Sequence, residues 1–195
     1  MRKLTVAEFV TLDGVIQAPG GPGEDPDGGF PFGGWIVPHH DDAISQAIQN
    51  LYAEPFDLLL GRRTYDIWSA YWPKKEAGHP IGDLFNRVAK HVATHRPDSL
   101  VWENSHPLQG GITQAVGNLK AQAGPDLLTH GSGDLVRQLL SAGLVDELQL
   151  LTYPIVVGSG RRLFGDDAQP SAFTVAHSSC TPGGVLITRY QRGGK

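Results

Sequence analysis

The segment from Asp126 to Phe164, DLLTHGSGDLVRQLLSAGLVDELQLLTYPIVVGSGRRLF, leaves few folds open. Leu127-Leu128-Thr129 reads as a short buried strand, Gly131-Ser132-Gly133 as a turn, and Asp134 as the start of an amphipathic helix. Leu135, Leu139 and Leu140 form one apolar stripe on that helix. Gly143 stops it, and a second strand beginning near Leu148 is expected to run through Pro154 to Val157. A further glycine turn, Gly158-Ser159-Gly160, carries Arg161 and Arg162. A strand, a glycine turn and a helix start gather free backbone N–H groups and the positive end of a helix dipole at one spot, where an anion can sit.

The remaining segments repeat this logic. Leu4 to Val10 is a first strand ending at Thr11-Leu12-Asp13-Gly14. Residues 18–34, APGGPGEDPDGGFPFGG, are too rich in Gly and Pro for helix or central strand, and a loop of this length serves as a lid or is a surface insertion. From Pro38 a helix is expected, capped by Asp41 or Asp42, with Ile44, Ala47, Ile48, Leu51 and Tyr52 on its buried face. Phe56 to Leu60 is an unalternating apolar strand, which suits a parallel sheet covered on both faces. It runs into Gly61-Arg62-Arg63-Thr64 and a helix carrying Ile67 and Trp68. A weak helix over 84–88, strands over 90–94 and 100–103, and a helix over 112–121 follow. Phe173 to Ser179 and Val185 to Tyr190 alternate around Pro182-Gly183-Gly184, a closing hairpin. The class is α/β, with one domain over residues 1–195.

Composition excludes several functions. Sixteen Lys+Arg stand against 20 Asp+Glu, a net charge of −4 with no basic block, so a nucleic-acid footprint is not expected. A single cysteine, Cys180, excludes an internal disulfide and fits a reducing compartment. Neither a signal-like leader nor a run of transmembrane length is seen, so a soluble cytoplasmic protein is expected. His39-His40-Asp41-Asp42 reads as a solvated helix cap, and no metal site is expected. Ser132 lies in GSG rather than GxSxG, which gives hydrolase chemistry little support. Val136 occupies the place of the third glycine in GxGxxG, and GxxxxGK[ST] is absent, so neither a common dinucleotide fingerprint nor an ATPase loop is present. His130, at a strand end beside the glycine turn, can line a site or be structural.

Three strand ends nevertheless carry phosphate-friendly groups: Gly61-Arg62-Arg63-Thr64, Thr94-His95-Arg96 and Gly131-Ser132-Gly133. Ligands of open α/β sheets bind at the carboxyl ends of strands, and glycine lets backbone approach a pyrophosphate closely.

With TLDGVI at 11–16, LLLGRRTYDIW at 58–68 and HGSGDLVRQLLSAGLVDELQLLTYPIVVGSGRRLF at 130–164, the chain resembles the dihydrofolate-reductase-like family. Within it the nearest branch is the reductase domain of bifunctional riboflavin-biosynthesis deaminase-reductases. The resemblance spans nearly the whole chain. It implies a three-layer fold with a mixed, mostly parallel sheet of about eight strands and flanking helices. It also implies NADPH along the strand ends, hydride transfer to a small heterocyclic or ribosylamino-pyrimidine or pterin-like substrate, and a homodimer. By position, Gly61, Arg62, Arg63 and Thr64 match a turn on the cofactor phosphates, and Thr94, His95 and Arg96 match the reader of the 2′-phosphate. Gly131, Ser132, Gly133, Asp134 and Leu135 match the turn under the pyrophosphate. Asp13 and Gly14 match the signature near nicotinamide and substrate, with Trp35 as a pocket wall. Asp13, or a water it holds, is the candidate proton donor; a strand-end Asx turn is its other reading. Folate reductases place a carboxylate on the helix before the LLLGR-type strand, and residues 43–52 here contain none. A non-catalytic nucleotide-binding or regulatory domain is the alternative function.

Overall fold

A computed structural model describes residues 1–165 and 168–193. One eight-stranded sheet runs through it in the order β4-β3-β2-β5-β1-β6-β8-β7. Strands β1 (Leu4–Thr11), β2 (Phe56–Gly61), β3 (Lys90–Ala93), β4 (Ser105–Pro107), β5 (Asp126–Thr129) and β6 (Glu147–Tyr153) are parallel to their neighbours. The hairpin β7 (Phe173–Cys180) and β8 (Leu186–Arg192) joins antiparallel to β6. This is the mixed, mostly parallel sheet with a closing hairpin that the sequence predicts.

Helices cover both faces. On one side α1 (Asp42–Leu51), α2 (Arg62–Tyr71) and α3 (Pro80–Arg87) pack through Ile44, Tyr65 and Phe85. On the other, α4 (Ile112–Ala121) and α5 (Gly133–Ser141) pack through Val116, Leu119, Leu135, Val136 and Leu139. This explains the unalternating run in β2: Leu58 and Leu60 point into one layer and Leu59 into the other, and all three are fully buried. Truncating such a leucine to alanine removes about 2–5 kcal/mol.

The structure corrects several expected boundaries. Residues 100–103 form no strand; β4 lies at Ser105–Pro107. Trp102 is instead a buried plug, with its backbone N–H on Tyr65 Oη (2.8 Å) and its indole N–H on Asn86 Oδ1 (2.7 Å). Its apolar character therefore serves helix packing, not a sheet face. β6 stops at Tyr153, where Pro154 interrupts the ladder. The helix expected from Pro38 is a 3-10 turn at Val37–His39 followed by α1, with Asp41 as its cap. α3 starts at Pro80 rather than 84, because proline is favourable in a first turn and His79 Nδ1 accepts the Gly82 N–H.

Candidate functional site

β2 and β5 are neighbours in the sheet, yet their following helices depart onto opposite faces. Their carboxyl ends are therefore a switch point of the sheet, the place where open α/β sheets form a crevice for ligands. There the two glycine turns lock together. The Gly61 N–H donates to Ser132 Oγ (2.9 Å), and the Ser132 N–H donates to Thr64 Oγ1 (2.9 Å). Gly131 has φ +57°, and a Cβ on it would stand 3.0 Å from Thr64 Oγ1, so conformation and space both require glycine. Ser132 is also left-handed (φ 53°), and the paired bonds to β2 and α2 hold it there.

The helix starts differ in their capping. Asp41 caps α1 and His79 caps α3, whereas α2, α4 and α5 begin with no side-chain cap, and of these α2 and α5 start at the latched turns. The residues opening α2 (Arg62, Arg63, Thr64) and α5 (Gly133, Asp134, Leu135) have no carbonyl one turn back within their own helix. Two positive helix ends therefore meet at one rim. The predicted pyrophosphate turn divides at this point. Gly131 and Ser132 spend their N–H groups on Glu8 Oε2 (3.0 Å) and Thr64, while Gly133 to Leu135 provide the helix-opening amides.

The predicted third strand end joins the same rim through Arg62. Its guanidinium donates to Ser99 Oγ (2.7 Å), Thr94 Oγ1 (3.3 Å) and the Arg96 carbonyl (3.2 Å), and it pairs with Asp66 at 2.7 Å. Arg62 thus braces the loop after β3. Arg96 is 65% exposed and pairs with Asp66 at 3.3 Å; His95 is exposed. Of the cations at this end, Arg96 is the more open to an anion.

Residues 18–34 form a pinned strap. Asp25 and Asp27 both pair with Arg63 of α2 (3.3 and 3.0 Å), and both pair with Arg161. Gln17 ties the strap from inside. Its amide donates to the carbonyls of Asp25 and Asp27, and its Oε1 accepts the Arg161 N–H. Trp35 was expected as a pocket wall. It is instead a core residue, 4% exposed, with its indole N–H on the Gln17 carbonyl and its ring edge-on to Tyr153.

Asp13, expected as the proton donor or as the holder of a donor water, is tied down on several sides. Its carboxylate accepts from Thr11 Oγ1 (2.7 Å), Gly158 N (2.8 Å) and Val157 N (3.3 Å), and Arg162 Nη2 lies 3.6 Å away. The Thr11 hydroxyl, with the backbone donors, pulls its pKa down to about 2, so it stays ionised and has no proton to give. Asp13 fastens the loop after β1 to residues 157–158 rather than closing a local Asx turn, since the Val15 N–H goes to Thr11 Oγ1, and Gly14 (φ +83°) lets the chain turn back beside Arg162.

Two buried ionisable groups lie close to the rim. The His130 side chain sits on the α1–α2 side of the sheet, with Nε2 3.1 Å from Tyr52 Oη, against the Trp68 ring. Burial pushes its pKa down to about 4, so the ring is neutral. Glu8, on the opposite face of β1, is 4% exposed, and burial raises its pKa well above the ordinary 4.5. Glu8 belongs to no motif in the sequence. Its signal was positional, since Leu4, Val6, Glu8 and Val10 alternate onto one inward face.

Comparison with known proteins follows the same lines. The family model described as the RibD C-terminal domain matches residues 2–187. Bacillus subtilis (strain 168) supplies two uncharacterised relatives. YyaP is 28% identical over 199 residues, covering 99% of this chain and 96% of YyaP. YwjB is 24% identical over 163 residues, covering 84% of this chain and 83% of YwjB. Among solved structures, a candidate riboflavin biosynthesis protein of Shewanella sp. PV-4 superposes with a TM-score of 0.66 at 20% identity, covering both chains completely. A pyrimidine reductase-like protein of Corynebacterium diphtheriae NCTC gives 0.63 at 16% identity, covering 100% of this chain and 93% of the other. These likenesses establish the dihydrofolate-reductase-like fold.

Proposed function

The chain belongs to the RibD C-terminal domain family, and from that premise we propose that it is an oxidoreductase of the pyrimidine-reductase type, with NADPH as its reductant. One observation carries the reading: two glycine turns from adjacent parallel strands are latched together, and each opens an uncapped helix. Such a pair of amide-rich ends suits the two charges of a pyrophosphate. The residues fit the cofactor, because the helix starts carry amides rather than side-chain caps, and a side chain at Gly131 would press on Thr64 and disturb the turn that presents them.

In this proposal the amides of 62–64 and 133–135 hold the pyrophosphate, and Arg96 takes the 2′-phosphate. The strap of residues 18–34, drawn to Arg63 and Arg161, limits water at the rim. When bound, the cofactor supplies the hydride. Asp13 stays an anion and orders the loop after β1, so the proton reaches the product from water. The substrate class is a ribosylamino-pyrimidine or a related heterocycle rather than folate. α1 carries no carboxylate beyond its first residue, and Asp41 is committed to the Ile44 and Gly183 N–H groups. A homodimer is proposed from the family resemblance.

The test is a titration of the protein into NADPH, followed by NADPH oxidation with ribosylaminopyrimidines and dihydrofolate in parallel. Binding with oxidation by the pyrimidine supports the reading. Turnover with dihydrofolate alone would reassign the substrate, and no binding at high micromolar cofactor would reject the reductase.

A further inference from the structure

Beneath the α5 glycine turn lies an acid with no counter-charge among the described residues. Glu8 sits on β1 between β5 and β6, facing the layer of α4 and α5. Its Oε2 accepts the Gly131 N–H at 3.0 Å, while its Oε1 is buried with no hydrogen-bond partner among the described residues. Thr129 Oγ1, on the neighbouring strand, is likewise buried and unpartnered. A carboxyl surrounded by the apolar side chains of β1, β6 and α5 is expensive to place there as a mere core residue, since a leucine would fill the volume without an orphaned oxygen.

The ionisable groups of the elements packed around it are engaged elsewhere. His130 and Glu147 belong to the opposite face of the sheet. Asp134 and Arg137 pair with each other on α5, Lys120 of α4 reaches Asp146, and Arg162 lies beside Asp13. What Glu8 does touch is the turn itself. By taking the Gly131 amide, it fixes the left-handed Gly131–Ser132 pair from below while Thr64 holds Ser132 from the side.

We propose that Glu8 is a positioning residue for the anion-binding turn, its buried carboxyl holding the Gly131 amide so that the amides of Gly133 to Leu135 are the ones offered to the ligand. The inference rests on the cofactor reading of that rim and adds to it a residue that acts from within the core. Burial favours the protonated form of this carboxyl. Ionisation would put a negative charge under a site built for negative charge, so binding weakens as Glu8 loses its proton.

The test compares Glu8→Gln and Glu8→Leu with the unaltered protein. Glutamine keeps an acceptor for Gly131 and cannot ionise; leucine keeps the volume and strands the amide. NADPH affinity should stay within about twofold in Glu8→Gln and fall about tenfold in Glu8→Leu, the cost of one unsatisfied buried donor. Relative to Glu8→Gln, the unaltered protein should lose affinity as pH rises through the raised pKa of Glu8. A purely structural glutamate would leave the two pH profiles parallel, and parallel profiles overturn the proposal even if Glu8→Leu does not fold. Hydrogen exchange at the Gly131 amide reads the positioning without any cofactor. It should be slow in the unaltered protein and Glu8→Gln and fast in Glu8→Leu, and equal protection in all three also overturns it. If the unaltered protein binds no NADPH while Gly131 exchange follows this order, the cofactor reading fails and the positioning role stands.

Discussion

The Ser132 backbone N–H donates to Thr64 Oγ1 at 2.9 Å, tying the turn after β5 to the first turn of α2. Because these helices lie on opposite faces of the sheet, that bond spans the crevice between them. Thr64→Val removes the acceptor and leaves the Ser132 N–H stranded, at a cost of about 1–3 kcal/mol. Thr64→Ser should restore most of it. Urea unfolding of the two variants measures the difference, and NADPH affinity should follow the same order.

Arg96 and Arg62 predict different phenotypes despite their proximity. Arg96 is largely exposed with one long ion pair, whereas Arg62 braces Thr94, Ser99 and the Arg96 carbonyl. Arg96→Ala should weaken NADPH more than NADH by about 1–3 kcal/mol. Arg62→Ala should weaken both alike by loosening the loop after β3. Titration of each variant with both cofactors checks this, and equal losses in Arg96→Ala would move the 2′-phosphate elsewhere.

The strap depends on charge. Asp25 is 8% exposed and shared between Arg63 and Arg161, while Asp27 is half exposed. Asp25→Asn should therefore open residues 18–34 to limited proteolysis more than Asp27→Asn does, because screening already weakens the outer pairs. Raising salt should speed cleavage of the unaltered protein and bring it closer to the Asp25→Asn variant.

His130 and Glu8 give stability opposite dependences on pH. His130 is neutral and buried, with its pKa depressed to about 4, so its contribution is full above the unfolded value of 6.5 and is lost as pH falls toward 4. Glu8 has the opposite sign. Its raised pKa gives a contribution that is full below 4.5 and is lost as pH climbs through its folded value. Urea melts across pH should show Glu8→Gln flattening the loss of stability on raising pH and His130→Gln flattening the loss on lowering it.

Much of this was legible from residues alone. The runs in β2, β5 and α5 carry their burial in their spacing, and three strand-end clusters were found because glycine and arginine stand directly after apolar strands. What escaped depended on contacts distant in sequence. Trp35 looks like a pocket aromatic until Tyr153 and the Gln17 carbonyl close around it. Asp13 looks like an acid until Val157 and Gly158, about 145 residues later, donate into it. Trp102 reads as strand because its partners Tyr65 and Asn86 are invisible in a local window. Glu8 was hidden within an ordinary alternation.

The rim itself is tested most directly by following backbone amide resonances during an NADPH titration. The account predicts saturable shifts concentrated at residues 62–64, 94–96 and 133–135, with the Gly131 amide remaining protected. Saturation with those amides unmoved, or shifts confined to another part of the sheet, would contradict it.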